Sequence, residues 1–257
     1  MSGYDRLLNE KRHGEFIREH GEEIWNWSSP AGRSRWRRRC RLFKEFIGDH
    51  HSRVLEIGCG TGLFTRELAG TDNTVLAIDI SEALIMKARA RVSSANVAFI
   101  VGNACETGFE TGSLDFVAGS SSLHHLEVDL ALKEFFRVLK SGGGMMFTEP
   151  NMMNPQVALT KKVPSIKRRA GDSPDETAFF RWRIAEKLRA AGFADILVEP
   201  FDFVHPQTPA WLVPMTERAG TVLEKIPLLR EIAGSLIIRC RKKGSDFLKS
   251  DGTPLSP

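Results

Sequence analysis

The 257-residue chain predicts a doubly wound α/β sheet, and three observations lead there. Apolar, β-rich runs at Arg53–Ile57, Thr74–Asp79, Val97–Val101, Leu114–Gly119 and Gly144–Glu149 alternate with helical stretches, chiefly Gly62–Ala69, Ser81–Val92 and Asp129–Lys140. That rhythm is the mark of βαβ units, which build a parallel sheet with helices on both faces through right-handed crossovers. A cluster of glycines joins the first strand to its helix. Two late strand-like runs, Asp195–Val204 and Ser235–Arg241, are separated by a long excursion and predict an antiparallel edge.

Residues 1–50 read as a helical extension, and residues 51–243 as the main domain. In the segment Gly32–Arg41, Trp36, Cys40, Phe43 and Phe46–Ile47 fall on one helical face, so the arginines between them are expected on the solvated side. Ser81 marks a helix start, and the glycines from Gly142 to Gly144 stop the helix before them. Phe179–Ala191 predicts a further helix, ended by Gly192. Two excursions, 151–177 and 205–233, break the βαβ rhythm and are expected to cap the sheet and build a substrate pocket, because function in such folds resides in insertions. Residues 244–257 read as a flexible tail.

Composition narrows the functional classes. Hydrophobic residues are 42% and charged residues 26% of the chain, which excludes disorder and fibre. The four cysteines form no CxxC pair, so neither a zinc ribbon nor a disulfide framework is expected, and no metal. No apolar run approaches a membrane span, and the first thirty residues are rich in charge, unlike a secretory signal. The expectation is a cytoplasmic protein with scope for peripheral contact with a membrane. Lys and Arg outnumber Asp and Glu eleven to eight in residues 1–50 and seventeen to twelve in 151–257, but are outnumbered eight to twelve in 51–150. An acidic centre with basic flanks argues against a nucleic-acid wrapper and leaves room for an anionic substrate.

The chemistry is carried by Val54–Leu68, VLEIGCGTGLFTREL. An apolar strand delivers Glu56, then Gly58, Cys59, Gly60 and Gly62, then a helix whose first turn offers free backbone donors. Glycines let the backbone turn sharply and approach a ligand closely. Leu63 stands where a dinucleotide fingerprint needs its third glycine, and no lysine follows to make a P-loop. An acidic residue before the turn favours a ligand with a positive group. Asp79, ending the second strand, can accept from both hydroxyls of a ribose. Asn103-Ala104 follows the third strand, where an adenine edge would lie.

Together with the RVLKSGG turn, these residues resemble the class I S-adenosylmethionine-dependent methyltransferases, most closely the small-molecule branch that includes ubiquinone- and menaquinone-type enzymes. The resemblance covers about residues 50–150 and implies a Rossmann-like seven-stranded sheet, order 3-2-1-4-5-7-6 with strand 7 antiparallel. It implies S-adenosylmethionine as cofactor. Glu56, Gly58, Cys59, Gly60 and Gly62 would lie along its methionine end, Asp79 on the ribose, Ile80, Asn103 and Ala104 around the adenine, and Ser120 beside the sulfonium. Asn103 stands where many relatives carry Asp; its side-chain carbonyl is expected to meet the adenine amino group.

His124 and His125 follow the fourth strand, at the end where this fold places ligands, and either is a candidate general base. Asn151 and Asn154 in EPNMMNP are candidates for the acceptor pocket or for turn chemistry. Nucleic-acid amino methyltransferases carry [DNS]PP[YF] after the fourth strand; here that place reads SSSL. The expected reaction is methyl transfer to a small-molecule or lipid-linked acceptor. Two other readings remain: an RNA or protein methyltransferase using the basic flanks, and a catalytically silent S-adenosylmethionine-binding sensor or scaffold.

Overall fold

The computed structural model describes residues 3–24, 26–173 and 176–244, so most of the predicted tail (245–257) lies outside the described residues. In chain order the elements are α1 (Gly3–Ile24), α2 (Pro30–Ile47), β1 (Arg53–Ile57), α3 (Leu63–Ala69), β2 (Thr74–Asp79), α4 (Glu82–Arg91), β3 (Val97–Val101), β4 (Leu114–Ser120), α5 (Val128–Val138), β5 (Leu139–Pro150), α6 (Pro155–Lys162), α7 (Pro164–Arg169), α8 (Arg181–Ala190), β6 (Phe193–Phe201), α9 (Val213–Leu223), α10 (Pro227–Arg230) and β7 (Ser235–Lys242). The seven strands pair in the order β3-β2-β1-β4-β5-β7-β6. Strands β1 to β5 are parallel, and β7 runs antiparallel to both β5 and β6. Fold class and strand order are as the sequence and its resemblance predict.

Strand periodicity splits the core into two layers. In β1, Leu55 and Ile57 face a core shared with Leu132, Phe135 and Val138 of α5 and Ile184 and Leu188 of α8. Val54, on the opposite face, packs with Cys40, Phe43 and Ile47 of α2, Phe64 and Leu68 of α3 and Ile85 of α4. Glu56 shares Val54's side by this alternation, and that decides its surroundings at the site.

Several boundaries differ from the sequence reading. The predicted helix to Lys140 ends at Val138, and β5 begins at Leu139; within β5 a side chain at Gly143 would strike the Lys140 and Asp115 carbonyls (2.9 and 3.0 Å). The strand predicted at Asp195–Val204 runs instead over Phe193–Phe201. It closes at Asp202, which adopts φ +74°, a conformation aspartate tolerates better than most residues. Ser81 caps α4 as expected, its side chain accepting from Leu84 N.

Candidate functional site

The carboxyl ends of the parallel strands open into a cavity of about 960 Å³. That lies at the upper end of the roughly 300–1,000 Å³ usual for small-molecule sites, enough for a cofactor and an acceptor together. Its floor is the glycine turn after β1. Gly58 and Gly60 adopt φ of +65° and +53°. A side chain at Gly58 would strike Ser122 Cβ at 2.7 Å, whereas the space above Gly60 is empty to 4 Å. A cradle that one Cβ would begin to fill is what close approach of a ligand to the backbone requires.

Asp79 stands beside this turn. Its Oδ2 accepts from Gly60 N and its Oδ1 from Ser81 N, both at 2.9 Å. Burial raises its pKa against the lowering effect of these two N–H groups. Each carboxylate oxygen retains a second lone pair, so Asp79 can still accept from ribose hydroxyls.

Eight of the ten predicted cofactor residues line the cavity: Gly58, Cys59, Gly60, Asp79, Ile80, Asn103, Ala104 and Ser120. Glu56 and Gly62 do not line it. Glu56, on the α3 side of β1, is enclosed near Thr65, and its Oε2 has no partner. Desolvation pushes its pKa up to about 8, with the Asp79 charge adding to the rise. Gly62 permits close packing: a side chain there would press on Ala88 Cβ at 3.0 Å, so it sets the approach of α3 to α4. In Asn103, Oδ1 accepts from Cys105 N at 3.0 Å, which sets the side chain in a local turn and leaves the carbonyl one lone pair and the amide nitrogen its hydrogens.

The histidines separate sharply. His124 is 2% exposed; its Nδ1 pairs with Glu149 and its Nε2 lies 3.1 Å from Glu176 Oε1. Burial opposes protonation, but the two carboxylates outweigh it and raise the pKa to about 9. An imidazolium with both nitrogens committed has no lone pair to take a proton, which corrects the expectation that His124 is a candidate base. Glu149 is fully buried and also accepts from Ser122 N and Leu123 N, fixing the turn after β4. Glu176 is held well below the usual carboxylate range by His124, and it also binds Lys161, which pairs with Asp172 at 2.7 Å. His124, His125 and Glu176 bring three potential metal-ligand atoms within 4.8 Å of one another, but the Lys161 ammonium already occupies the same Glu176 oxygen that meets His124.

His125 is partnered from above. Glu10 of α1 places Oε2 3.0 Å from its Nδ1, and Glu10 Oε1 accepts from Ser173 Oγ at 2.9 Å. His13 stacks on it with centroids 5.8 Å apart. Arg6 ties the helix down through the His125 carbonyl at 2.8 Å, and Gly14 lets α1 pass close to Ser81, where a side chain would clash at 2.6 Å. Thus α1, read from sequence only as an extension, roofs the site with Arg6, Leu7, Glu10, His13 and Ile17.

The predicted acceptor walls are redistributed. The excursion after β5 lines the cavity through Asn154, Val157, Thr160, Lys161, Asp172 and Glu176. Asn154 also caps α6, while Asn151 is buried and donates to the Glu231 and Ala233 carbonyls at 2.8 Å, so it serves the loop. The excursion after β6 contributes only His205, Pro206 and Gln207; among the described residues none from 208 to 233 touches the cavity. Their place is taken by Trp27, Arg35, Trp36 and Arg39. Arg39 is 3% exposed, which corrects the expectation that the arginines of this helix face solvent. The sequence signal for it was present in retrospect: Arg35 and Arg39 are one turn apart and flank the apolar stripe at Trp36 and Cys40.

The residues present fit the cofactor that the resemblance implies. An empty cradle over Gly60 and an accepting carboxylate beside it match a ligand with ribose hydroxyls. Comparison with known proteins agrees. Residues 55–147 match the family model of the methyltransferase domain. A methyltransferase-like protein of Schizosaccharomyces pombe is 29% identical over 177 residues, 68% of this chain and 64% of that one. The demethylmenaquinone methyltransferase of Lactococcus lactis is 37% identical over 117 residues, 43% of this chain and 46% of that one. The chain thus aligns with about half to two thirds of these relatives' length. In fold it is similar to a possible histamine N-methyltransferase of Thermotoga maritima (TM-score 0.64, 20% identity, 90% of this chain and 100% of that one). It is also similar to phosphoethanolamine N-methyltransferase 2 of Haemonchus contortus, solved with S-adenosylmethionine (TM-score 0.63, 21% identity, 95% of this chain and 60% of that one). The glycine turn, the strand order and the matched segment agree: residues 55–147 carry a methyltransferase domain, set in a fold shared with solved S-adenosylmethionine-dependent methyltransferases.

Proposed function

We propose that the protein methylates a small-molecule or lipid-linked acceptor from S-adenosylmethionine. The observation that carries this is one cavity lined together by the glycine turn, Asp79, the His125–Glu10 pair, Trp27 and Trp36. The menaquinone-type relative supports a small acceptor. Bound S-adenosylmethionine supplies a methyl carbon on a sulfonium, open to in-line displacement by an acceptor lone pair.

The chain's own residues do the rest. Gly58, Gly60 and Asp79 hold the cofactor. Helix α1 excludes water, so positioning does most of the work. His125 receives the acceptor's proton at Nε2, with Glu10 on Nδ1 fixing the ring and stabilising the charge that results. Locked in place by Glu149 and Glu176, His124 braces the turn on which His125 stands.

Calorimetry and labelled turnover test this reading. S-adenosylmethionine and S-adenosylhomocysteine should bind at micromolar or tighter affinity and NAD should not; labelled methyl should pass to a component of a metabolite or lipid extract. NAD binding as tight as S-adenosylmethionine would sink it. Binding with no transfer to any acceptor would favour the sensor reading. Asp79→Ala should weaken S-adenosylmethionine binding by about 1.5–3 kcal/mol, the usual worth of a hydrogen bond to a charged group, and a folded variant with normal affinity would refute the placement.

Contact with a membrane surface has its own observation. Trp211, Met215 and Leu228 are 78%, 62% and 85% exposed on α9, α10 and the turn before them, outside the cavity. The described residues contain no helix long and apolar enough to cross a membrane. Arg218, Lys225 and Arg230 are balanced by Glu217, Glu224 and Glu231 in the same stretch, so the exposed apolar side chains carry the contact with a headgroup boundary. Trp211→Asp with Leu228→Asp should abolish sedimentation with vesicles and leave S-adenosylhomocysteine affinity intact. Equal vesicle binding by the double variant would remove this contact from the proposal.

A further inference from the structure

The wall opposite Asp79 holds a buried cation without a full set of partners. Arg39 Nη1 donates to Ser121 Oγ at 3.2 Å and Nη2 to Ser235 Oγ at 2.7 Å, so two hydroxyls fix the guanidinium plane. Its faces are covered by Trp27 and Phe201, with ring centroids 5.4 and 5.8 Å away. Its Nε is enclosed and bonded to nothing. The adjacent carboxylate, Asp202, is taken by its neighbour: Arg35 Nε donates to Asp202 Oδ2 at 2.7 Å, while Arg39 reaches the same oxygen only at 3.7 Å.

The charges do not balance at this wall. Arg35 and Arg39 share one carboxylate, and Glu149, the other acid in the field of Arg39, already holds His124. Arg38, the third arginine of this helix face, is matched by Glu224 at 2.7 Å. Desolvation and the Arg35 charge lower the Arg39 pKa to about 10, which still leaves it a cation at neutral pH. A buried cation lacking a counter-charge is costly, and chains retain one where a ligand completes it.

Position separates this cation from the adenosine end of the site. Ser121 follows β4 and Ser235 opens β7, two and four places along the sheet from β2, where Asp79 sits. At about 4.8 Å per strand that is roughly 10 to 19 Å along the sheet. Trp36, Val157, Phe203 and Val204 line the same cavity.

We propose that Arg39, set by Ser121 and Ser235 and seconded by Arg35, binds an oxyanion of the methyl acceptor, so that the substrate class is an apolar or aromatic molecule bearing a carboxylate or phosphate. This rests on the methyltransferase reading above and narrows it. Arg39 lines the cavity, and a planar guanidinium whose Nε lacks a partner suits both oxyanions, which present two acceptors side by side.

The test uses the full chain saturated with S-adenosylhomocysteine. Phenylacetate and phenylphosphate are the probes, and 2-phenylethanol is the neutral control. The Arg39 Nε–H resonance, identified by its loss in Arg39→Lys, should shift on adding either anion and stay still with the alcohol. Arg39→Gln should weaken binding of the preferred anion by about tenfold or more, as expected for a lost charged hydrogen bond, with S-adenosylhomocysteine affinity unchanged. No shift at saturating anion would overturn the proposal. So would a variant that loses affinity for S-adenosylhomocysteine but not for 5′-methylthioadenosine, since the arginine would then serve the cofactor's own carboxylate. If Arg39→Gln does not fold, the wild-type resonance and Ser121→Ala decide. Failure of the wild-type chain to bind S-adenosylhomocysteine would instead refute the methyltransferase reading.

Discussion

Glu149→Ala is expected to destabilise the fold by about 3–5 kcal/mol, the cost of leaving a buried charge without its partner. The residue is fully buried and satisfies the His124 imidazolium and two backbone N–H groups at once. At roughly 2–4 °C per kcal/mol for a chain of this size, the thermal denaturation midpoint should fall by about 6–20 °C. Glu149→Gln keeps a carbonyl for Ser122 and Leu123 N–H and should cost less, but its pH dependence should change. His124 has its pKa raised to about 9, above the unfolded value of 6.5. Its contribution is therefore complete below about pH 6.5 and is lost as pH rises through about 9. Glu56, raised from 4.5 to about 8, adds a loss of the same sign between those values. The wild type should thus lose stability steadily up to about pH 9, whereas Glu149→Gln should keep the Glu56 portion and flatten above pH 8. A variant whose stability profile runs parallel to the wild type across that upper range would show that Glu149 does not hold the imidazolium.

His125→Ala is expected to slow methyl transfer to a hydroxyl acceptor roughly 10²–10⁴-fold, the range for removal of a general base, with S-adenosylmethionine affinity retained. Glu10→Gln should slow it less, because the amide still meets Nδ1 but no longer stabilises the imidazolium. Single-turnover rates separate these effects from binding. Unchanged turnover in His125→Ala would leave positioning alone as the mechanism, and α1 would then act only as a roof.

The glycine turn and the carboxylate beside it were legible in the sequence because they are local. Gly58, Gly60 and Asp79 sit at fixed offsets from strand ends, and a parallel sheet brings successive strand ends to one edge. Those positions follow from chain order alone, as does the burial of Val54, Leu55 and Ile57. Where local logic failed it did so at packing. Gly62 was read as a ligand contact, yet it serves the approach of α3 to α4, and Glu56 lies on the α3 face of its strand and not on the cavity wall.

The acceptor half was not legible, because each of its pairs joins distant segments. Arg39 meets Ser235 across 196 residues, His124 meets Glu176 across 52, and Arg6 meets the His125 carbonyl across 119. Helical spacing could show that Arg39 flanks an apolar stripe, but not that the open ends of β4 and β7 lie against that flank. Likewise nothing in the apolar run from Trp211 to Leu229 shows that it faces away from the cavity. By itself the sequence determined the sheet, its order through resemblance, and the turn that receives the cofactor, since strand periodicity and glycine geometry act over a few residues. The tertiary structure alone decided which histidine is locked as a cation, which arginine is buried and which helix closes the site, since burial and charge pairing depend on what the rest of the chain brings alongside.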